Sequence, residues 1–165
     1  MADAARERLT MDNHLPTKVS GRARRPASRG QTTKHRPTVM VVDDHEDHRF
    51  MLRYLLETKG YRVVEAADGL EAVAVAKSSR PDLVLMDLSL PRLDGLSAMR
   101  RIREEASLHA VPAVAVSGRV KAEDRADALA AGFREYITKP IDFDQLLDLL
   151  ARLLPQAIDA NPSVN

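Results

Sequence analysis

The chain of 165 residues contains no cysteine and no tryptophan, and only three tyrosines and three phenylalanines. Without cysteine it can form neither a disulfide framework nor a thiolate metal site. No apolar run approaches the roughly 20 residues that a membrane-spanning helix needs. The N-terminus also lacks the apolar segment of a secretory signal peptide. We therefore predict a soluble, cytoplasmic protein with no membrane insertion.

Charge is distributed unevenly along the chain. Residues 1–37 contain nine Lys and Arg against three Asp and Glu, whereas the remaining residues contain sixteen against twenty-one. The basic segment has no sustained apolar period, so it has little apolar surface to offset the entropy cost of ordering. We predict a basic, disordered extension over residues 1–37, an α/β domain over 38–154 and a short polar tail over 155–165.

From residue 38 onward, short apolar runs alternate with helical patterns. Short apolar runs bounded by turn residues indicate buried parallel strands. The predicted strands cover 39–42, 61–65, 82–86, 113–116 and 134–138, and the predicted helices cover 46–58, 69–77, 95–104, 121–131 and 143–154. Right-handed crossovers place helices on both faces of such a sheet. We predict a doubly wound, flavodoxin-like α/β fold with five parallel strands in the order 2-1-3-4-5.

Four of these strands end in polar residues that are suited to chemistry. The first ends in Asp43 and Asp44, the third in Asp87, the fourth in Ser117 and the fifth in Lys139. The carboxyl ends of parallel strands lie along one edge of the sheet, so these side chains are predicted to converge. Three neighbouring carboxylates repel one another unless a cation intervenes. Hard oxygen ligands favour Mg²⁺ over zinc, which predicts a magnesium site.

A magnesium site of this kind is suited to a phosphoryl group, because Mg²⁺ commonly combines one or two carboxylates with phosphate oxygens. Lys139 is a mobile ammonium that can bind a phosphate oxygen or Asp87 itself. Ser117 can donate a hydrogen bond to the same group. Asp87 stands at the tip of its strand, where a carboxylate oxygen could attack phosphorus to form an aspartyl phosphate.

With these motifs in place, the chain resembles the receiver domain of response regulators in two-component signalling. The residues that carry the resemblance are Val41–Val42–Asp43–Asp44, Leu85–Met86–Asp87–Leu88–Ser89–Leu90–Pro91, Asp94–Gly95, Val116–Ser117–Gly118 and Tyr136–Ile137–Thr138–Lys139–Pro140. The resemblance implies that Asp87 is the phosphoacceptor. It also implies that Asp43 and Asp44 form the acidic pocket for Mg²⁺, with Asp44 as the more direct ligand.

The resemblance also assigns roles to residues around these carboxylates. The backbone carbonyl of Ser89 would complete the protein's share of the magnesium ligands. Ser117 and Lys139 would bind the phosphoryl group, and Tyr136 would occupy the aromatic switch position beside Ser117. The peptide bond before Pro140 is expected to be cis. The expected phosphoryl donor is a histidine kinase or a histidine phosphotransfer protein.

The expected function is that of a stand-alone signalling switch, which catalyses only its own phosphorylation and dephosphorylation. Only about eleven residues follow the last predicted helix, too few for an output domain. Phosphorylation is expected to alter the surface formed by helix 4, strand 5 and helix 5. On helix 5, Leu149 is predicted to lie off the core stripe and to offer an apolar contact there. The downstream partner would be another protein or a second copy, in a phosphorylation-dependent homodimer.

Two other functional classes compete with this interpretation. A phosphatase of the haloacid dehalogenase type also uses an aspartate nucleophile, but it needs a second aspartate where this chain has Ser89. A nucleic-acid-binding protein could use Arg22, Arg24, Arg25 and Arg29, yet the basic segment has no aromatic residue for base stacking. We therefore expect at most weak, non-specific nucleic-acid binding.

Two histidines follow the acidic pair closely. His45 and His48 are predicted to be solvated residues at the start of the first helix.

Overall fold

The computed structural model describes residues 36–155, which form one sheet with helices on both sides. The strands are β1 (Thr38–Val42), β2 (Arg62–Ala66), β3 (Leu83–Asp87), β4 (Ala113–Ser117) and β5 (Glu135–Thr138), and the helices are α1 (Glu46–Thr58), α2 (Gly69–Ser79), α3 (Gly95–Arg103), α4 (Ala122–Ala130) and α5 (Phe143–Leu153). A 3₁₀ turn, Ala106–Leu108, lies between α3 and β4. No helix in this described part of the chain is long and apolar enough to cross a membrane.

The five strands are all parallel and lie in the order β2-β1-β3-β4-β5. This confirms the predicted doubly wound, flavodoxin-like fold. The predicted helix over 46–58 agrees with α1 at both ends. The bounds of the other elements differ from the predicted ones by at most two residues at either end. For example, β2 begins at Arg62 rather than at residue 61. The 3₁₀ turn was not predicted, because three residues are too few to show a period.

Alternate residues of the central strands supply two separate layers of core. On one face, Val39 and Val41 of β1 pack with Leu52 and Leu56 of α1 and with buried leucines of α5. On the other face, residues such as Met40 and Val42 pack against α2, α3 and α4. This arrangement follows from the period of two along a strand, since successive side chains point to opposite sides of the sheet. Core packing therefore covers both faces of the sheet and fixes the positions of the strand ends relative to one another.

The prediction for the last helix was wrong at one position. Leu149 is 7% exposed and belongs to the core beneath α5, together with Leu146 and Leu150. Leu147, which was predicted to lie on the core stripe, is only half-buried. The spacing of 146, 149 and 150 is itself a helical i, i+3, i+4 set. The apolar stripe thus extends to the other side of α5 from the one that was predicted, and Leu149 is not available as a surface contact.

Close backbone packing fixes the start of α3 against the end of β3. A Cβ atom added to Gly95 would lie 2.4 Å from the carbonyl oxygen of Asp87 and 2.8 Å from the Cα of Leu88. The Gly95 amide donates a hydrogen bond to the carbonyl of Leu88 at 3.0 Å. Asp94 caps the helix by accepting a hydrogen bond from the Ser97 amide at 2.9 Å. Only glycine fits at 95, and its fit holds the loop after Asp87 against the sheet.

The contacts of Arg36 and Pro37 place the N-terminal boundary of the domain before residue 38. The Arg36 guanidinium donates to the carbonyls of Gly60 and Tyr61 at 3.1 and 3.3 Å. The carbonyl of Pro37, which is buried, accepts a hydrogen bond from Arg62 at 2.8 Å. The predicted disorder of residues 1–37 concerns a segment of which all but the last two residues lie outside the described part of the chain.

We expect a chain that begins at residue 36 to unfold cooperatively at close to the full-length temperature. A chain that begins at residue 38 loses the Arg36 and Pro37 contacts, and its melting temperature should fall by several degrees, which corresponds to about 1 kcal/mol. Thermal unfolding followed by circular dichroism measures both. If the two truncated chains melt at the same temperature, the boundary assigned here is incorrect.

Candidate functional site

The polar residues predicted to converge lie at the carboxyl ends of four strands. Asp43 directly follows β1, Asp87 ends β3, Ser117 ends β4 and Lys139 directly follows β5. Asp87 pairs in register with Val116, the residue before Ser117. Ser117 pairs with Thr138, the residue before Lys139. The register of the sheet therefore brings these side chains to one cleft.

The three carboxylates form a group that suits a hard divalent cation. Asp43, Asp44 and Asp87 each place a carboxylate oxygen within 4.8 Å of the others. Asp43 and Asp87 are buried, whereas Asp44 is exposed toward the mouth of the cleft. Three carboxylates with solvent access on one side allow Mg²⁺ to keep several of its waters, as this ion prefers. The residues present therefore fit magnesium.

Lys139 forms ion pairs with both buried carboxylates. Its ammonium lies 2.5 Å from Asp87 Oδ2 and 2.9 Å from Asp43 Oδ2, and its side chain is 23% exposed. Burial alone would lower the pKa of Lys139, but hydrogen bonds to Asp87 and Asp43 outweigh burial and raise the pKa above its usual value. Burial likewise tends to raise the pKa of Asp43, but hydrogen bonds from Lys139 and from the His45 amide hold it below its usual value. The ion pairs therefore keep the cleft charged.

Asp87 is held so that its two oxygens have different surroundings. Oδ1 accepts a hydrogen bond from the Ser89 amide at 2.7 Å, and Oδ2 faces Lys139. The backbone on either side is fixed, because the Leu88 amide donates to the Val116 carbonyl at 3.2 Å and Gly95 packs on the Asp87 carbonyl. The carboxylate therefore has a set orientation. Ser89 itself is exposed.

Ser117 and Tyr136 are linked through one residue, Arg119. The Ser117 side chain is fully buried, and its hydroxyl oxygen accepts a hydrogen bond from the Arg119 amide at 3.1 Å. The carbonyl of the same residue accepts a hydrogen bond from the Tyr136 hydroxyl at 2.8 Å. Ser117 also accepts from the Lys139 amide through its carbonyl at 2.8 Å. A continuous set of hydrogen bonds thus runs from the cleft to the half-buried tyrosine ring.

The peptide bond between Lys139 and Pro140 is cis. Beyond this bond, a second cleft, distinct from the acidic one, lies between α4, β5 and the start of α5 and has a volume of 430 Å³. Its lining includes the Tyr136 ring, Lys121 and Val120, and the Val120 side chain is 78% exposed. This face therefore offers an apolar contact, but from Val120 rather than from Leu149.

His45 and His48 lie at the start of α1 with side chains 64% and 45% exposed, as predicted, but both also contact the acidic pair. His45 Nδ1 lies 2.9 Å from Asp44 Oδ1 and 3.4 Å from Asp43 Oδ1, and His48 Nδ1 lies 3.3 Å from Asp43 Oδ2. Both rings are partly exposed, yet both direct a nitrogen toward the acidic pair. Sequence spacing places them near the pocket, but their rotamers decide the contact.

A second ion pair lies beside the loop that follows Asp87. Asp68, which is buried, caps α2 by accepting from the amides of Leu70 and Glu71 at 2.9 and 3.0 Å, and its other oxygen pairs with Arg92. Arg92 has a positive φ of 63°. Burial tends to raise the pKa of Asp68, but the Glu71 amide and Arg92 together lower it below its usual value. This pair joins the start of α2 to the β3–α3 loop.

We expect Asp68→Ala to destabilise the protein by about 1–3 kcal/mol at neutral pH, because it removes both a cap and an ion pair. Since the folded-state pKa is depressed, Asp68 stabilises the protein fully above its unfolded pKa, and this contribution is lost as the pH falls through the folded value. Urea unfolding of variant and parent should therefore converge in acid. Asp142→Ala is the matched control, because Asp142 caps α5 through the amides of Asp144 and Gln145 but is exposed. An equal loss in both variants would mean that Arg92 contributes nothing.

Together, these features define the class of the protein: a doubly wound domain whose sheet edge presents a magnesium-type acidic pocket and an opposing ammonium, as in domains that handle phosphoryl groups. The chain belongs to the response regulator receiver domain family, whose model matches residues 39–151. This family acts in two-component signalling as a phosphoryl-accepting switch, with phosphorylation on an aspartate and Mg²⁺ as cofactor.

Curated relatives and solved structures agree with this assignment. Protein PilH of Pseudomonas aeruginosa is 34% identical over 116 residues, which are 70% of this chain and 96% of PilH. The polar-differentiation response regulator DivK of Brucella ovis is 32% identical over 120 residues, which are 73% of this chain and 98% of DivK.

The receiver domain of a sensor histidine kinase from P. aeruginosa, solved with magnesium in its active-site cleft, is 35% identical with a TM-score of 0.68, over 73% of this chain and 99% of that one. The chemotaxis response regulator CheY4 of Vibrio cholerae is 29% identical with a TM-score of 0.69, over 73% and 100%. The comparisons give no support to a dehalogenase-type phosphatase or to a nucleic-acid-binding protein. The arginines of the latter hypothesis, residues 22–29, lie outside the described part of the chain.

Proposed function

We propose that Asp87 accepts a phosphoryl group from a histidine kinase or histidine phosphotransfer protein and that the resulting change on the α4–β5–α5 face controls a partner protein. The observation that carries this proposal is the contact of Asp87 Oδ2 with Lys139 in a cleft that also holds Asp43 and Asp44. An Asp87 carboxylate oxygen attacks phosphorus, and the bond from phosphorus to the donor's histidine nitrogen breaks. The bonding electron pair returns to that imidazole, and an aspartyl phosphate remains.

The Mg²⁺ ion of the family would be held here by Asp43, Asp44 and Asp87, with the Ser89 carbonyl completing the set as the family resemblance implies. When bound, it supplies positive charge against the phosphoryl oxygens. Asp43 and Asp44 would be free to serve as ligands because neither needs to carry the phosphoryl group. Asp44, the most exposed of the three carboxylates, would exchange water for metal most easily.

Lys139 and Ser117 would bind the phosphoryl group from two further strands. The Lys139 ammonium already lies 2.5 Å from Asp87 Oδ2, so a phosphoryl group on Asp87 would remain within reach of the same charge. The Ser117 hydroxyl accepts from the Arg119 amide, which leaves its own proton free to be donated to a phosphoryl oxygen. Both residues would act without leaving their strand ends.

The hydrogen bonds around Arg119 suggest how the cleft would act on the surface. A Ser117 hydroxyl drawn toward a phosphoryl group would pull on the Arg119 amide, and the carbonyl of the same residue holds the Tyr136 hydroxyl at 2.8 Å. The tyrosine ring would then rotate inward and change the 430 Å³ cleft that it lines between α4 and α5. The partner at this face would be another protein or a second copy of the chain.

Phosphoryl uptake tests the first part of the proposal. Purified protein is incubated with acetyl phosphate or with candidate histidine kinases, with and without Mg²⁺, and the mass of the intact chain is recorded. We propose uptake of one phosphoryl group that depends on Mg²⁺ and maps to Asp87. If no donor gives Mg²⁺-dependent labelling, the proposed function is wrong.

The second part predicts where chemical shifts change when the phosphoryl mimic beryllofluoride is added. We expect changes in residues 117–125 and 136–150, because Arg119 and Tyr136 connect the cleft to that face. Tyr136→Phe should reduce the changes in α4, because it lacks the hydroxyl that bonds the Arg119 carbonyl. Tyr54→Phe is the matched control, since the Tyr54 ring is 67% exposed on α1. Changes confined to α1, with residues 121–150 silent, would overturn the proposed output face.

A further inference from the structure

Two histidine rings lie beside the acidic cleft after the end of β1, on the side away from β5, the strand that Lys139 follows. His45 precedes α1 and His48 lies in its first turn, and their ring centroids are 4.9 Å apart. His48 directs Nδ1 at Asp43 Oδ2 at 3.3 Å, whereas His45 Nδ1 lies between the two acidic residues, 2.9 Å from Asp44 Oδ1 and 3.4 Å from Asp43 Oδ1. The receiver-domain chemistry proposed above uses neither ring.

The spacing of these atoms matches the coordination sphere of a small transition-metal ion. In a tetrahedral site with metal–ligand bonds of about 2.0–2.2 Å, neighbouring ligand atoms lie about 3.3–3.5 Å apart. Asp43 Oδ1 lies 3.4 Å from His45 Nδ1, and the other Asp43 oxygen, Oδ2, lies 3.3 Å from His48 Nδ1. One ligand atom from each of the three residues lies within 4.8 Å of the others. Because both rings are partly exposed, they can move to bring one Asp43 oxygen and two ring nitrogens around an ion.

The ligand chemistry differs from that of the magnesium group. Imidazole nitrogen suits zinc and its neighbours in the transition series, whereas Mg²⁺ prefers oxygen alone. At 3.3 Å, the Nδ1 of a neutral ring can donate a hydrogen bond to the Asp43 carboxylate, and in the other tautomer the same nitrogen offers its lone pair to a metal ion. We propose that Asp43, His45 and His48 form a site for a divalent transition-metal ion such as Zn²⁺, with solvent completing the coordination.

This site shares one ligand with the three carboxylates that fit Mg²⁺. Asp43 belongs both to the set with His45 and His48 and to the set with Asp44 and Asp87. A Zn²⁺ ion bound to Asp43 places a second dication within a few ångströms of the magnesium position and competes with Lys139 for the same carboxylate. Zn²⁺ and Mg²⁺ therefore bind in competition, and Zn²⁺ slows any phosphoryl uptake that needs Mg²⁺.

Calorimetric titration of the full chain with Zn²⁺ in Mg²⁺-free buffer tests the site directly. His14 and His35, which lie outside the described part of the chain, are replaced by alanine in the parent protein to remove their own affinity for zinc. We expect one Zn²⁺ per parent chain, and His45→Ala and His48→Ala should each weaken binding by at least about tenfold. His109→Ala is the matched control, because His109 is an exposed histidine distant from the cleft, and it should bind Zn²⁺ like the parent.

A spectroscopic measurement separates this site from zinc held by the aspartates alone. Co²⁺ added to the parent should give the strong visible absorption of a tetrahedral site with nitrogen ligands, and the signal should be lost in His48→Ala. Unchanged Zn²⁺ affinity and an unchanged Co²⁺ spectrum in both histidine variants would overturn the proposal. Neither measurement uses phosphorylation, so the result stands whether or not Asp87 accepts a phosphoryl group. Where uptake is observed, Zn²⁺ should inhibit the parent more strongly than it inhibits His48→Ala, each relative to its own rate without zinc.

Discussion

Asp87→Asn is expected to reduce phosphoryl uptake by more than about a hundredfold, because a neutral amide oxygen is a poor nucleophile toward phosphorus. The substitution preserves the size of the side chain, so the packing of the β3 end and of Gly95 is retained. The measurement is the rate of labelling by acetyl phosphate or by a cognate kinase in the presence of Mg²⁺, followed by intact-chain mass.

The controls for this variant address folding and the choice of aspartate. An amide has a single acceptor oxygen, so either the Ser89 amide or Lys139 loses its partner, and a modest change in stability is expected. Thermal unfolding must show that the variant is folded at the assay temperature. Asp127→Asn alters an exposed aspartate on α4 and should label like the parent. Labelling of Asp87→Asn at the parental rate would assign the phosphoryl group to another residue.

Lys139→Met is expected to make the stability of the protein depend on Mg²⁺. In metal-free buffer at neutral pH the variant leaves Asp43 and Asp87, whose side chains are 4% and 7% exposed, without their ammonium partner. Breaking a fully buried pair costs about 3–5 kcal/mol. Because the lysine side chain is 23% exposed, we expect a smaller loss, about 1–3 kcal/mol, and a melting temperature lower by several degrees.

Magnesium should restore part of this loss. Without the ammonium the carboxylates attract Mg²⁺ more strongly, and an ion that binds only the folded state stabilises it by mass action. The rise in melting temperature on adding Mg²⁺ should therefore be larger for Lys139→Met than for the parent. Lys77→Met removes an exposed lysine from the last turn of α2 and should show the parental response. An equal Mg²⁺ response in all three proteins would mean that Lys139 does not balance the charge of the carboxylates in the cleft.

Most of the fold could be predicted because the signals are local and repeated. The central strands β1, β3 and β4 are short apolar runs, and Gly60, Pro81 and Pro112 mark the turns that precede β2, β3 and β4. The convergence of Asp43, Asp87 and Lys139 then follows from strand order, since parallel strands end at the same edge.

The features that could not be predicted are side-chain contacts for which the sequence allows more than one arrangement, and tertiary packing selects one of them. The apolar residues of α5 cover more than one side of the helix, so spacing alone did not decide between Leu147 and Leu149, and it is Leu149 that joins the core cluster beneath α5. The histidine contacts depend on rotamers at the start of α1, which a sequence pattern does not encode. The pair between Asp68 and Arg92 joins residues 24 positions apart and requires a positive φ at a residue other than glycine, for which the sequence gives no signal.

The ion pairs that Lys139 forms across the sheet also affect local unfolding of the edge strand β5. The lysine follows the edge strand β5, but its ammonium contacts carboxylates at the ends of β3 and β1, so it passes over the end of β4. Detachment of β5 must withdraw the ammonium from both carboxylates, and local opening and loss of the ion pairs are therefore one event. The hydrogen-exchange rates of the amides in residues 135–138 thus report the charge state of a cleft that lies beyond the neighbouring strand.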